Sequence, residues 1–180
     1  MQHIMLDLET MGTKPSAAIV AIGAVFMDFE NDKLGDTFYQ RICLESSARN
    51  GGVIDAQTVK WWLKQDDKAR KEIHTATTQL NSALLDFREF VGVNIPSDST
   101  RVWGDGAAFD NVILRSAYDN AYIKAPWSYW NDRCYRTVKK IYNQEREQQI
   151  GTAHNALDDA ISQANNLLAI VKKYNLQGDL

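Results

Sequence analysis

The chain has 180 residues, 44% of them hydrophobic, which suits one domain with a full core that needs no covalent staple. A net charge of −3 argues against a protein that grips long duplex by general phosphate neutralisation, and leaves room for metals to supply positive charge at one site. Cys43 and Cys134 are too few for a disulfide framework or a zinc cluster, no basic-then-apolar signal opens the chain, and no apolar run approaches the ~20 residues of a membrane span. The expectation is a reduced, cytoplasmic protein without a membrane partner.

Residues 3–8 read as a short apolar strand, 19–29 as a second with a buried middle, and 34–44 as a third, so three strands joined by polar turns predict an antiparallel meander. Helices follow over 56–65 behind Asp55 as a cap, over 67–74, and over 78–92, where Leu80, Leu84, Phe87 and Val91 recur at helical spacing. Pro96-Ser97-Asp98 marks a turn before a strand at 101–104. A helix over 108–122, a short strand and helix within 130–143, and a long amphipathic helix from 156 to 174 complete the order. Strands then alternating helix and strand give an α/β fold with a mixed sheet, and no repeat or linker divides residues 1–180.

Within HIMLDLETMG, strand alternation points Asp7 and Glu9 the same way and sends Ile4, Leu6 and Leu8 into the opposite layer. Paired carboxylates at a strand end repel. A hard cation relieves that, and oxygen ligands favour magnesium or manganese over zinc, whereas an isolated D-x-E is often only a strand end meeting solvent. Asp110, in VWGDGAAFD, sits just inside a helix, where an acid also serves the helix dipole; Asp105, between two glycines, reads as a turn residue. In AHNALDDA, Asn155 caps the last helix with Asp158 at the third position, resembling a capping box. Leu157, Ile161, Ala164, Leu168 and Val171 form the apolar stripe, with Asp158 and Asp159 both off it, so periodicity does not choose between the acids. His154 is left on the loop, with a reference pKa near ~6.5 that suits a general base, although a lone loop histidine is more often simply solvated.

The strings D-L-E-T-M-G, F-D after W-G-D-G-A-A, and H-x-x-x-x-D resemble the three exonuclease motifs of the DEDD (DnaQ-like) superfamily, in the DEDDh subgroup whose last motif carries histidine. TVKWWL and WNDRCYRT extend the resemblance to the compact, phage-type 3′-5′ exonucleases related to the exoribonuclease RNase AS, over nearly the whole chain. The resemblance implies a ribonuclease H-like sheet flanked by helices. It makes Asp7, Glu9, Asp110 and Asp159 the carboxylates of a two-ion magnesium or manganese site, with His154 as the base, and its spacing selects Asp159 over Asp158. It further implies that Asp7 bridges both ions, that Glu9 and Asp159 complete one site and Asp110 supports the other, and that 3′-terminal hydrolysis releases nucleoside 5′-monophosphates. Relatives often carry asparagine where Asp105 stands, and they are frequently homodimers.

Candidate substrate contacts are Thr10 and Met11 beside the catalytic strand, Trp61, Phe109 and Arg133. On helix 56–65, Val59, Trp62 and Leu63 share one face, which reads Trp62 as core, whereas Trp61 falls on the other, free to stack on a base or to pack on a neighbouring element. Phe109 lines a pocket or joins the core. Arg133, Arg136, Lys139, Lys140 and Arg146 form a basic run interleaved with Tyr135 and Tyr142, a backbone guide for a single strand or a solvated helix face. Two other readings are a ribonuclease H-type endonuclease and a catalytically silent nucleic-acid-binding module; the choice between RNA and DNA stays open.

Overall fold

A computed structural model describes residues 2–94, 99–144 and 149–178. Strands β1 (Gln2–Thr10), β2 (Ile19–Asp28) and β3 (Lys33–Arg41) form the expected meander, and β4 (Thr100–Gly104) and β5 (Asp132–Cys134) extend it. The sheet order is β3-β2-β1-β4-β5, with β1–β2 and β2–β3 antiparallel and β1–β4 and β4–β5 parallel. The strand that carries Asp7 and Glu9 is thus central.

Alternation along β1 divides the core. Ile4, Leu6 and Leu8 join Ile22, Phe26 and Val102 on one face, under α4 (Leu80–Asn94) and α5 (Asp110–Asn120), where Leu84, Phe87, Leu114 and Tyr118 are fully buried. Met5 joins Val25, Met27 and Trp103 on the other, under α6 (Tyr135–Ile141) and α7 (Ala156–Tyr174). Helix, sheet and helix make three layers, each large apolar side chain contributing about 1.5–3 kcal/mol on burial.

Several expectations need correction. The third strand stops at Arg41, and α1 (Leu44–Arg49) occupies the end of the range assigned to it. This helix has no apolar stripe because its inward residues are serines: Ser46 Oγ accepts from Leu80 N at 2.8 Å and Ser47 Oγ from Ile19 N at 2.9 Å. Helix α2 (Ala56–Trp62) ends three residues early as Lys64 N and Gln65 N bond to Trp61 O and Trp62 O in a tighter turn; α3 (Asp67–His74) follows as expected. Helix α5 starts at Asp110 because Phe109 N bonds to Gly106 O and closes a turn first. The turn expected at Pro96-Ser97-Asp98 lies outside the described residues.

The buried face of α7 is also rotated from the predicted stripe. Leu157 and Ile161 are half-buried, while Ala156, Asp159, Ala160, Gln163, Ala164, Leu167 and Val171 face inward. Small residues lead here because the helix start lies directly on β2. Gly23 pairs with Asp7, and a Cβ on Gly23 would fall 2.1 Å from the carbonyl carbon of Ala156. Only glycine permits that approach, which brings the first turn of α7 over the end of β1. Among the described residues no helix is long and apolar enough to cross a membrane.

Candidate active site

Four acids from distant parts of the chain meet at the end of β1. Asp7 and Glu9 continue the face that carries Met5, and a register shift between Glu9 and Thr10 turns the strand end. The ladder with β4 ends at Leu6 and Gly104; beyond it, Leu8 N donates to Asp110 Oδ1 at 3.2 Å, fixing the first residue of α5 against the strand. Asp159, in the first turn of α7, accepts from His154 N at 3.0 Å and from Gln149 Nε2. Gln163, one turn later, donates from Nε2 to Asp7 Oδ1 at 2.7 Å.

His154 precedes the helix with φ of 64°, a left-handed backbone that its N–H bond to Asp159 helps to hold. Its ring meets Trp61 edge-on at 4.8 Å between centroids. Asn155 caps α7 as predicted, accepting from Leu157 N and Asp158 N, both at 3.1 Å. The box is not closed as expected, because Asp158 Oδ2 accepts from Thr152 N at 2.7 Å. Asp159 is 8% exposed and faces the other acids; the residue pattern alone had left the two equal.

The electrostatics are those of a crowded anionic cluster. Burial, reinforced by Asp159 and Asp110, pushes the Glu9 carboxyl up to about 8. Burial raises Asp110 to about 7, against the opposing bond from Leu8 N–H, with Asp105 adding to the rise. Asp7 is driven well above the usual carboxylate range by burial and then by Asp110, Glu9 and Asp159, partly offset by Gln163. Such a site relieves its repulsion by taking protons or cations. Ligand atoms of Glu9, His154 and Asp159 lie within 4.8 Å of one another, so the imidazole stands directly beside carboxylates that could ligate a hard divalent ion.

Asp7, Glu9 and Asp159 open on a cleft of about 520 Å³ walled by Thr10, Thr13, Asp55, Thr58, Trp61, Phe109 and His154. Thr10 is buried at its floor, with Oγ1 donating to Gly12 O, and Phe109 packs against the core while facing the cleft. Trp61 is 42% exposed at the wall, and Trp62 is core, its Nε1 donating to Thr10 O at 2.9 Å. Two expected contacts fall elsewhere. Met11 is 6% exposed, packed with Ala18, Val20 and Trp62, so its side chain is spent on the core. Arg133 is on β5 with its guanidinium on the carbonyls of Trp130 and Asp132, outside the cleft.

Of the basic run, Arg136 and Lys139 pair with Asp105 at 3.3 and 3.9 Å, which compensates the additional acid; Lys140 is exposed and Arg146 lies outside the described residues. Residue reasoning missed Gln149 and Gln163. For Gln163 a signal existed, its i,i+4 spacing from Asp159 on one helix face.

The family profile of the 3′-5′ exoribonuclease Rv2179c-like domain matches residues 2–171. The chain belongs to this family. It is a 3′-5′ exonuclease domain, and the endonuclease and silent-module readings are not favoured. An exodeoxyribonuclease of phage T4 is 23% identical over 161 residues, covering 76% of this chain and 70% of the relative. The nuclease domain of 3′hExo, a DEDDh family member solved bound to rAMP, superposes with a TM-score of 0.65 at 13% identity over 96% of this chain and 92% of that one. Exonuclease I of E. coli, solved with a dT13 oligonucleotide, gives 0.66 at 11% identity over 97% of this chain and 42% of that one. These likenesses bear out the ribonuclease H-like mixed sheet.

Proposed function

We propose that this exonuclease domain, residues 1–180, hydrolyses single-stranded RNA or DNA from a 3′-hydroxyl end and releases nucleoside 5′-monophosphates. Its centre on this reading is Asp7, Glu9, Asp110, Asp159 and His154, with two magnesium or manganese ions. The observation that carries the reading is the convergence of four buried or half-buried acids at the end of β1, three of which, Asp7, Glu9 and Asp110, are held above the usual carboxylate range chiefly by burial. A zinc-bound E. coli Exonuclease I complex with single-stranded DNA among the structural relatives supports a divalent site.

Asp7, Glu9, Asp110 and Asp159 would hold the ions. Bound there, the ions supply Lewis acidity and charge neutralisation for phosphodiester cleavage. His154 takes the proton of the attacking water at a ring nitrogen, while its backbone bond to Asp159 and its ring contact with Trp61 hold the imidazole. Attack at the terminal phosphorus breaks its bond to the 3′ oxygen of the penultimate nucleotide, which takes a proton from solvent to become the new 3′-hydroxyl. Trp61, Thr10 and Phe109 line the path to the acids, and Trp61 offers an exposed face for stacking the terminal base.

The unpaired Cys43 and Cys134 fit a reducing cytoplasm. Homodimerisation, which the family resemblance carries, is checked by sedimentation of the pure protein. The reaction is tested with linear and circular oligonucleotides. Linear RNA or DNA with a free 3′-hydroxyl should yield 5′-monophosphates with magnesium and none in excess EDTA, and a 3′-phosphate should slow the reaction far more than a 5′ block. Release of mononucleotides from a closed circle would overturn the reading.

A further inference from the structure

Gln163 is chemically unlike the neighbours it packs among. It is 4% exposed on the inward face of α7, where Ala160, Ala164 and Leu167 fill the core. A leucine would bury there without a desolvation cost. The carboxamide instead brings Oε1, which has no hydrogen-bond partner among the described residues, a condition native interiors seldom tolerate. Its other end accounts for it: Nε2 reaches across the layer to Asp7 Oδ1 at 2.7 Å, joining residues 156 apart in sequence.

The choice of donor is informative. Gln149 Nε2 and His154 N–H address Asp159, and Leu8 N–H addresses Asp110, so these bonds to the acids all come from neutral groups. The nearby cations Arg136 and Lys139 pair directly with Asp105, and Arg136 reaches Asp110 only through its field. An arginine at position 163 would orient Asp7 equally well, but it would cancel the charge that attracts a cation. An amide fixes the carboxylate and leaves its charge available. We propose that Gln163 is a positioning residue, holding Asp7 in the orientation that ligates the divalent ion. This rests on the reading above that Asp7 is a metal ligand.

The test is Mn²⁺ binding to the full chain without substrate, followed by electron paramagnetic resonance, for wild type, Gln163→Leu, Gln163→Met and Asp7→Asn. Both Gln163 variants should unfold in EDTA at or above the wild-type temperature yet bind Mn²⁺ about 10–100-fold more weakly, with kcat lowered and KM for an oligonucleotide little changed. A merely structural glutamine would lower the unfolding temperature and leave affinity alone. Wild-type Mn²⁺ affinity in a folded Gln163→Leu or Gln163→Met overturns the proposal, provided Asp7→Asn has lost binding. If Asp7→Asn binds like wild type, the metal-ligand reading itself has failed. Should both Gln163 variants misfold, the side-chain NH₂ resonances of Gln163 in wild type decide: they should shift when Mg²⁺ is added, and an unmoved signal overturns the proposal.

Discussion

Replacing Glu9 by Gln should stabilise the metal-free protein while removing its activity. The folded chain holds the Glu9 proton up to about 8, whereas the ordinary value is 4.5. The folded state therefore binds this proton more tightly than the unfolded chain, so its contribution is fully present below about 4.5 and is lost as pH rises to about 8. One unit is 1.36 kcal/mol, which makes the penalty on the order of 3 kcal/mol at pH 7, somewhat more at pH 8, and below about 1 kcal/mol at pH 5. Glutamine keeps the shape and cannot ionise. At 2–4 °C per kcal/mol for a chain of this size, Glu9→Gln in EDTA at pH 8 should melt roughly 10 °C above wild type, and within a few degrees of it at pH 5. Saturating magnesium at pH 8 should raise wild type more than the variant, which keeps only Asp7, Asp110 and Asp159 as acidic ligands. Thermal unfolding followed by circular dichroism reads all of these. A variant that melts at or below wild type at pH 8 in EDTA would refute the reasoning, since Glu9 would then be stabilised by its surroundings rather than strained by them.

Other outcomes follow from the same geometry. His154→Ala should lose roughly 10²–10⁴-fold in kcat at saturating magnesium while calorimetric Mn²⁺ affinity changes little; a variant within a few-fold of wild type would remove the base assignment. Because Asp110 and Glu9 keep protons to about 7 and about 8, metal must displace them, so Mg²⁺ affinity should rise between pH 6 and 8.5 with proton release detected by calorimetry in buffers of different ionisation enthalpy. A flat profile would contradict this. Gly23→Ala places a methyl 2.1 Å from the Ala156 carbonyl carbon and should lift the start of α7 off the sheet, costing about 1–3 kcal/mol in denaturant unfolding and a larger share of activity. Wild-type kinetics in that variant would show that the close approach is dispensable.

How far the residues alone reach is clearest on β1. Period-two alternation put Asp7 and Glu9 on one face, and the fold kept that division because Ile4, Leu6 and Leu8 fill the opposite layer. The last helix was harder. Large side chains suggested a stripe through Leu157 and Ile161, but alanines face β2 where the backbones nearly touch, so the true inward face carries Asp159 and Gln163. A helix read by its largest residues is misoriented wherever close packing selects its smallest ones. Helix α1 escaped notice for a related reason, since its inward serines satisfy backbone groups of other elements. Met11 looked like a substrate contact from its place beside the acids, and only the packing of Ala18, Val20 and Trp62 around it shows otherwise. Bonds between residues 102 and 156 apart, Leu8 to Asp110 and Gln163 to Asp7, have no local signature. His3 makes the same point, being buried and pushed down to about 3 mainly by desolvation, with its Nδ1 accepting from Trp103.

Whether Asp7, Glu9, Asp110 and Asp159 form a divalent-metal site served by His154 is decided by anomalous diffraction from crystals soaked in MnCl₂ with a nucleoside 5′-monophosphate. Two anomalous peaks should appear at the end of β1, with Asp7 touching both, Glu9 and Asp159 on one, and the phosphate beside them within reach of His154. Manganese bound elsewhere, or density at the end of β1 that stays empty of metal at saturating concentration, would contradict the account.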